Sequence, residues 1–297
     1  MDFPFTGVIP VDKPAGVTSR RVVDAVARAA RMKTVGHAGT LDPLASGVVV
    51  VCLGHATRLV DHLHAQTKRY AATFLLGRSS PSDDLETPVE EEPGPRVPSR
   101  GEIEDAVARF RGDILQRPCD YSAVHVDGKR AYRLARQGKP VDLAPRPVRI
   151  ERLVVDAWEW PRLALDIECS AGTFIRAIGR DLALTLGTRA VMESLRRTRV
   201  GPFDLASARS LDTLDPAGLA AALRPPLDAL PHLPRVVLVG ADLEHAVRGG
   251  LLSHDPGRLP ADASTAAAVD ADGLLVGILA RLDSGAWRLR PNFRGAG

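Results

Sequence analysis

Strand-like segments occur in this chain in pairs, with helices between the pairs, and this order restricts the fold class. Apolar runs or alternation predict strands over residues 7–12, 48–53, 67–76, 148–156 and 163–169. Helical spacing predicts helices over about 18–32, 99–110 and 131–137, and from about 173 and 189 onward. Thr18 or Ser19 is expected to cap the first of these helices, and Ser99 with Glu102 has the pattern of a capping box at the start of the second. Regular βαβ alternation is missing. The pattern therefore predicts an α+β fold with a mixed, mainly antiparallel sheet flanked by helices.

A proline-rich stretch divides the chain unequally. Pro225, Pro226, Pro231 and Pro234 precede a segment with apolar runs at 236–239 and 274–279. We expect a large domain over 1–230 and a small β-rich domain over 231–297, which 297 residues and 45% apolar composition allow. Residues 78–98 hold six acidic residues and several prolines, and we expect a mobile insertion on the surface.

Positive charge is concentrated, although the net charge is only +3. Lysines and arginines gather over residues 13–33, 129–152 and 189–199, the last group being Arg189, Arg196, Arg197 and Arg199. Any one group alone is better explained as a solvated helix face. Three groups together favour a polyanionic partner such as a nucleic acid, because neutralised phosphates release counterions.

The three cysteines are widely spaced and form no Cys-x-x-Cys pair, so neither a disulfide framework nor a zinc site is indicated. The first residues lack a signal-peptide pattern, and the longest apolar run, 48–53, is too short to cross a membrane. We expect a cytoplasmic protein.

A glycine-rich turn over 36–47 contains the first candidate for chemistry, Asp42. Gly36, Gly39 and Gly47 allow tight backbone geometry, and Pro43 pushes Asp42 towards an extended conformation. The order of glycines is not that of a dinucleotide-binding loop. An isolated Asp-Pro is usually only a turn former. The residues alone leave Asp42 a candidate.

Two further segments carry polar groups at defined positions. Arg176 falls in the first turn of the helix predicted near 173, where a cation opposes the helix dipole and is easier to understand if it meets a carboxylate. The alternative is an exposed arginine or a structural ion pair. At the start of the strand over 67–76, Lys68 and Tyr70 share one face and Arg69 the other.

Taken together, these segments resemble the TruB family of tRNA pseudouridine synthases. The matching motifs occur in the family's order at residues 12–19 (DKPAGVTS), 36–47 (GHAGTLDPLASG), 68–70 (KRY), 121–123 (YSA), 127–132 (DGKRAY), 172–176 (GTFIR), 195–198 (LRRT) and 201–203 (GPF). The final 65 residues or so resemble, more loosely, the small PUA-like RNA-contacting domain of these enzymes.

The resemblance implies an isomerase that converts a uridine in the T arm of tRNA, at position 55, to pseudouridine after flipping the base out. It implies no cofactor, no metal, no obligate protein partner and a monomer. Asp42 is then the catalytic aspartate and Arg176 its ion-pair partner. Tyr70 lies against the target base and is a candidate to take the C5 proton.

The same resemblance gives four residues a role in substrate binding. His37 is expected to stack where the base leaves the RNA, Phe174 and Leu195 to form the pocket, and Lys13 to support the site. The chain departs from the family pattern at Cys119, where a proline is usual, at His125, usually lysine, and at Phe174, usually tyrosine. The last change keeps a ring for stacking and removes one hydroxyl.

Three other functions remain as alternatives. An RNA-binding or RNA-folding protein would use the same groove without turnover. A guide-dependent synthase related to dyskerin would need a guide RNA and partner proteins, although the insertion at 78–98 and the short tail are closer to the stand-alone bacterial type. No motif supports a general metabolic enzyme.

Overall fold

The computed structural model describes residues 5–126, 128–253, 256 and 259–294. Asp127, which belongs to the motif at 127–132, lies outside the described residues. Strands between residues 7 and 210 form a ten-stranded sheet with two short hairpins, and strands between residues 235 and 292 form a separate five-stranded sheet.

The strands of the larger part are β1 Gly7–Lys13, β2 Val35–Ala38, β3 Ser46–Leu53, β4 Lys68–Leu76, β5 Arg78–Ser79, β6 Glu90–Glu91, β7 Gly112–Gln116, β8 His125–Val126, β9 Lys129–Arg130, β10 Arg146–Glu159, β11 Arg162–Cys169, β12 Ala190–Val200, β13 Phe203–Asp204 and β14 Arg209–Ser210. The strands of the second sheet are β15 Arg235–Val237, β16 Leu251–Leu252, β17 Thr265–Val269, β18 Leu275–Arg281 and β19 Trp287–Asn292.

The α-helices are α1 Ser19–Ala30, α2 Val60–Ala65, α3 Arg100–Arg109, α4 Ala131–Ala135, α5 Ile175–Thr185, α6 Pro216–Ala222 and α7 Gly240–Val247. Short 3₁₀ segments occur at Gly54–Leu59, Leu211–Thr213 and Pro226–Ala229. No helix among the described residues has the length and apolar character that a membrane span requires.

The main sheet is mixed and mainly antiparallel. Its order is β14-β1-β3-β12-β4-β11-β10-β7, with β2 beside β3 and β13 beside β12. Among the described strands of this sheet, the pairs β1–β14 and β3–β12 are parallel and the others are antiparallel. The predicted α+β fold, with helices flanking such a sheet and a β-rich C-terminal part, is confirmed.

The prediction of a helix from about residue 189 is wrong. Residues 190–200 form β12, which pairs with β4 along its length and with β3 near Arg196. The apolar residues Val191, Met192 and Leu195 have a spacing that a helix also shows, and the sheet contact decides between the two. The turn predicted over 36–47 begins later than expected, because Val35–Ala38 is already strand β2.

Local signals fix the first helix. Thr18 caps α1 by accepting a hydrogen bond from the Arg21 amide, and the helix ends where Arg31 adopts φ +53°. The apolar face of α1 is buried in the main core, with Val22 and Val26 fully inaccessible. This packing fixes the position of the residues just before the helix, which approach the loop of Asp42.

The capping box predicted at Ser99 and Glu102 is present at the start of α3. The Ser99 hydroxyl accepts from the Glu102 amide, and the Glu102 carboxylate accepts from the Ser99 amide. The predicted helix over 131–137 is present as the shorter α4.

The second sheet packs against the first. Ala267 of β17 and Ile278 of β18 belong to the same buried apolar cluster as Val8 and Val50 of the main sheet. Arg58 Nη1 also donates to the Asn292 carbonyl at 2.6 Å. The apolar runs predicted at 236–239 and 274–279 contribute to β15 and β18. The division of the chain at residue 230 stays a prediction.

Candidate active site

Asp42 lies in the loop between β2 and β3, and glycine backbone geometry shapes this loop. Gly39 has φ +94° and Gly47 φ +107°, a region that other residues rarely adopt. A Cβ atom at Gly47 would also lie 2.2 Å from the Arg197 carbonyl oxygen. Gly47 therefore allows β3 to approach β12 closely at the end of the loop.

Side chains from the first motif hold the loop on both sides of Asp42. The buried Ser19 hydroxyl donates to the Leu41 carbonyl at 3.1 Å and accepts from the Leu41 amide at 2.8 Å. Lys13 Nζ lies 3.4 Å from the Pro43 carbonyl, while its shortest bond is to the Val17 carbonyl at 2.6 Å. Lys13 is fully buried, and burial lowers its pKa to about 8, against the opposing effect of Asp42. This geometry suits the supporting role expected for Lys13.

Arg197 holds the same loop from the opposite direction. Its guanidinium donates to two loop carbonyls, those of Gly39 at 3.0 Å and Thr40 at 3.3 Å, and to the Val48 carbonyl of β3 at 2.7 Å. The residue is 2% exposed, so Arg197 does not belong to an exposed basic surface with the other members of its group. The cause is its inward position on β12, which the sequence pattern did not reveal.

Arg176 meets two carboxylates. Its Nη2 atom lies 3.1 Å from Asp42 Oδ2, and Nη1 lies 3.2 Å from Asp84 Oδ2. The guanidinium also donates to the carbonyls of Ser82 at 2.8 Å and Tyr121 at 2.9 Å. Arg176 is 5% exposed and belongs to the first turn of α5. The carboxylate expected opposite this cation is present, and a second accompanies it.

Asp84 is a residue of the site that the sequence did not single out. It belongs to the acidic segment 78–98, most of which is exposed, yet Asp84 is 1% exposed and Ser82 is fully buried. The other Asp84 oxygen, Oδ1, accepts from the Ser82 hydroxyl at 2.5 Å and the Glu86 amide at 2.9 Å. Composition gave no signal for this inward turn, because nothing in the sequence distinguishes Asp84 from the other five acidic residues of the segment.

Opposing effects act on the Asp42 carboxyl. Burial raises its pKa above the usual value, Arg176 lowers it, and Asp84 and Glu86 raise it further. The net direction is upward, although the side chain remains 38% exposed. Arg176 thus reduces the cost of keeping a carboxylate charged in this partly buried position.

A cavity of about 160 Å³ opens beside Asp42. Five residues expected at the site line it together, namely Asp42, Tyr70, Phe174, Arg176 and Leu195, and the other lining residues are Thr40, Leu41, Ser122, Ala123, Thr173 and Ile175. Burial raises the pKa of the Tyr70 phenol, so the neutral form predominates at neutral pH. The cavity has room for one ring-sized group between a carboxylate and apolar walls.

Gln116 fixes the backbone of Phe174. Its amide oxygen accepts from the Phe174 amide at 2.8 Å, and its Nε2 atom donates to the Phe174 carbonyl at 3.1 Å. The Arg146 guanidinium lies 5.7 Å from the centre of the Phe174 ring. Gln116 was not identified from the sequence, since a glutamine at the end of a strand shows no distinguishing pattern.

His37 is separate from this group. It lies on β2 opposite Val51 of β3 and is not among the residues that line the cavity beside Asp42. Burial, with smaller effects from His64 and Arg197, lowers its pKa, so the imidazole is neutral at neutral pH. A neutral ring is suited to stacking on a base.

Among the described residues, no three His, Cys, Asp or Glu side chains form a group that could hold a metal ion. The chemistry available to the cavity is that of one carboxylate beside a buried guanidinium, with a phenol and apolar side chains on the remaining walls.

Two family models together match residues 27–230. Residues 27–175 match the N-terminal domain of the TruB family pseudouridylate synthases, and residues 176–230 match the C-terminal domain of tRNA pseudouridylate synthase B. The chain belongs to the TruB family. The two matches meet at Arg176, so the ion pair between Asp42 and Arg176 joins the two matched regions.

TruB proteins of known name are similar along nearly the whole chain. The tRNA pseudouridine synthase B of Mycobacteroides abscessus is 43% identical over 281 residues, 92% of each chain. That of Parasynechococcus marenigrum is 43% identical over 284 residues, 94% of each chain. As a TruB family member, the protein is an isomerase of the pseudouridine synthase class.

Chains in two solved structures of larger assemblies have a similar fold. A chain of an H/ACA ribonucleoprotein bound to a substrate RNA containing 2′-deoxyuridine is 25% identical, with a TM-score of 0.75 over 97% of this chain and 85% of that chain. A chain of the archaeal box H/ACA Nop10–Cbf5 complex has the same TM-score at 24% identity, over 98% and 86%. The second likeness shows the shared fold.

Proposed function

We propose that this protein converts the uridine at position 55, in the T arm of tRNA, to pseudouridine. Relatives with 43% identity carry the name tRNA pseudouridine synthase B, which supports tRNA as the substrate. The structural observation that carries the proposal is the Asp42 carboxylate, which lies on the wall of a ring-sized cavity and is ion-paired to the buried Arg176.

The reaction exchanges one bond to the sugar for another. The bond from C1′ to N1 of uracil breaks, the base turns, and C1′ bonds to C5 of the same base. C5 loses its hydrogen as a proton and N1 gains a proton, so atoms and electrons balance without any oxidant or imported group. The protein must therefore supply a charged oxygen near C1′ and a route for protons.

Asp42 supplies the charged oxygen in this proposal. The carboxylate acts either as a nucleophile at C1′ or as a base that removes a proton from the sugar, and both roles need the ionised form. Arg176 favours that form and orients the carboxylate, because a planar guanidinium holds an oxyanion in a fixed direction and keeps its proton. Asp84 holds the second amino group of Arg176, which fixes the orientation of the guanidinium.

The uracil ring occupies the cavity between Tyr70, Phe174 and Leu195. Chemistry at C1′ requires the base to leave its stack, at a cost of a few kcal/mol that stacking on side chains offsets. Tyr70 presents its ring to the base, and its phenolate form, which is the minor form at neutral pH, is the candidate to receive the C5 proton. His37, outside the cavity, fills the space that the base leaves in the RNA.

Exposed basic residues bind the RNA backbone. On and after α1, Arg20, Arg21, Arg28, Arg31 and Lys33 are solvent-exposed, as phosphate contacts require. We extend the proposal to a monomer that acts on tRNA without a guide RNA, in the cytoplasm. The higher identity to the named tRNA enzymes than to the ribonucleoprotein chain supports this choice.

The purified chain should form pseudouridine in an unmodified tRNA transcript at one position. Mapping of pseudouridine after treatment tests this, with a transcript in which cytidine replaces uridine 55 as the control. Product at position 55 with no added RNA or protein supports the proposal. Absence of product, or product that appears only after addition of a guide RNA, would overturn it.

A further inference from the structure

A second cavity of about 410 Å³ adjoins the one beside Asp42. The two cavities share walls formed by Thr40, Tyr70, Thr173 and Phe174. The remaining residues of the second cavity are Gly39, His64, Lys68, Ser170, Ala171, Gly172 and Arg197. None of them is acidic, and two are cationic.

Both cations in this wall are buried. Lys68 is 7% exposed, and Arg197, in contact with the loop of Asp42, is almost inaccessible. Lys68 Nζ donates to the carbonyls of His64 and, at 2.6 Å, of Gln66. Within the described part of the chain, neither cation has a carboxylate within the 4.0 Å of an ion pair.

The carbonyl oxygens that accept hydrogen bonds from Lys68 and Arg197 carry no net negative charge, so they do not neutralise the two cations. A buried charge is costly unless an opposite charge accompanies it, and here two like charges are buried near each other. Burial and the nearby Arg197 lower the pKa of Lys68 to about 8, because both disfavour the charged form of the side chain. An anion in the cavity would remove this cost.

Hydrogen-bond donors remain for such an anion. An ammonium group has three donors, and Lys68 uses two of them. A guanidinium has five, and Arg197 uses three for the carbonyls of Gly39, Thr40 and Val48. Arg197 also lies directly opposite Tyr70 in the pairing of β12 with β4. The anion would thus lie next to the group that contacts the substrate base.

We propose that the cavity between Lys68 and Arg197 binds a phosphodiester of the substrate RNA, one of the two attached to the flipped nucleoside. The inference rests on the proposed function, since it takes the nucleoside to be in the adjoining cavity. A phosphodiester at Lys68 would couple base flipping to binding, because the everted sugar and its phosphate would enter adjoining cavities together.

The test uses T-arm stem–loop RNAs in which one linkage is a neutral methylphosphonate, either 5′ or 3′ of the target uridine. Affinity is measured in the Asp42→Asn background, so that turnover does not disturb binding, with Lys68 intact and with Lys68→Met. When Lys68 is intact, a methylphosphonate at one of the two linkages should weaken binding roughly tenfold or more, as loss of a charged hydrogen bond predicts. In the Lys68→Met protein, a methylphosphonate at that linkage should change binding by no more than about twofold.

Two further variants test whether sensitivity to the methylphosphonate linkage depends on the positive charge of Lys68 in particular or on positive charge anywhere on the protein. Lys68→Arg keeps the charge and should restore sensitivity to the linkage. Arg100→Gln removes an exposed charge on α3, outside the cavity, and should leave sensitivity unchanged. Inorganic phosphate, added at constant ionic strength, should compete with the unmodified RNA more strongly than with the sensitive methylphosphonate RNA.

Equal sensitivity to each linkage in the Lys68-intact and Lys68→Met proteins would overturn the phosphate site. If the protein with Asp42 intact still forms pseudouridine in that case, only this inference fails. Failure to form pseudouridine in unmodified tRNA would instead overturn the proposed function.

Discussion

Asp84 Oδ2 lies 3.2 Å from Nη1 of Arg176, the arginine whose other amino group meets Asp42. The two carboxylates therefore share one guanidinium, and both are brought to it by loops. A buried arginine with two carboxylates is held in one orientation, because rotation that improves one contact would break the other. The direction of the Asp42 carboxylate thus depends on a residue that does not line the cavity.

We predict that Asp42→Asn lowers product formation on the order of 10⁴-fold, as expected for loss of an essential carboxylate. Binding of tRNA should change little, since the substitution is nearly isosteric. Release of tritium from C5-labelled uridine in tRNA measures turnover. Asp61→Asn makes the same change on exposed α2 and should be silent. Substantial turnover by Asp42→Asn would remove this residue from the catalytic role.

We predict that Arg176→Lys lowers kcat by ~10²-fold or more, although the charge is kept, because small errors in orientation have large kinetic effects. One ammonium group cannot reproduce the bonds to two carboxylates and two carbonyls. Single-turnover kinetics check the rate. Arg180→Lys, one turn along α5, is the control. Near-normal rates would show that the planar guanidinium of Arg176, with its two amino groups, has no role in orienting Asp42.

The acid limb of kcat/KM should depend on Asp84. Because the pKa of Asp42 is raised, activity should fall as the pH decreases through a value above 3.8, where Asp42 takes up a proton. Asp84→Asn removes one of the charges that raise this pKa, so the acid limb should move to lower pH. The variant should also lose activity, up to ~10²-fold, through poorer orientation of Arg176. A pH–rate profile decides, and an unmoved acid limb contradicts the electrostatic coupling.

Tyr70→Phe keeps the ring and removes the phenol. We expect binding to change little and product formation to fall about 10²-fold, the lower range for loss of a group that transfers a proton. Since burial raises the pKa of Tyr70, any rate that depends on its phenolate should increase with pH across the neutral range. Loss of that increase in Tyr70→Phe would support the proton role. An active variant with an unchanged profile would leave Tyr70 only the ring contact.

Gln116→Leu should damage the pocket through Phe174. The substitution leaves the Phe174 amide without its partner and removes one of two donors to the Phe174 carbonyl, which the Ile178 amide still meets at 3.2 Å. The expected cost is about 1 kcal/mol or more in the free energy of unfolding. KM should increase, because the ring position is no longer fixed. Urea denaturation and steady-state kinetics measure both effects, with Gln137→Leu at an exposed position as the control. Unchanged stability would show that Gln116 does not hold the Phe174 backbone.

Sequence patterns predicted the elements whose signals are local. The cap of α1, expected at Thr18 or Ser19 and found at Thr18, the capping box at Ser99 and the apolar strands needed no tertiary information. The pairing of Asp42 with Arg176 was implied by family motifs, since spacing alone left both residues open to ordinary explanations.

The residues that were missed depend on contacts distant in the chain. Asp84 turns inward from an acidic segment, Arg197 points inward from a strand mistaken for a helix, and Gln116 binds a residue 58 positions away. Whether such side chains are buried is decided by sheet order, which periodicity does not contain.

The place of β12 in the main sheet has a consequence for synthesis of the protein. β3 and β4 follow each other in the chain, yet β12, residues 190–200, lies between them. A nascent chain that has emerged only as far as α5 carries Asp42, Asp84 and Arg176 and still lacks the strand that joins the two halves of the sheet. Ribosome-bound intermediates should therefore remain open and inactive until about two thirds of the protein has been made.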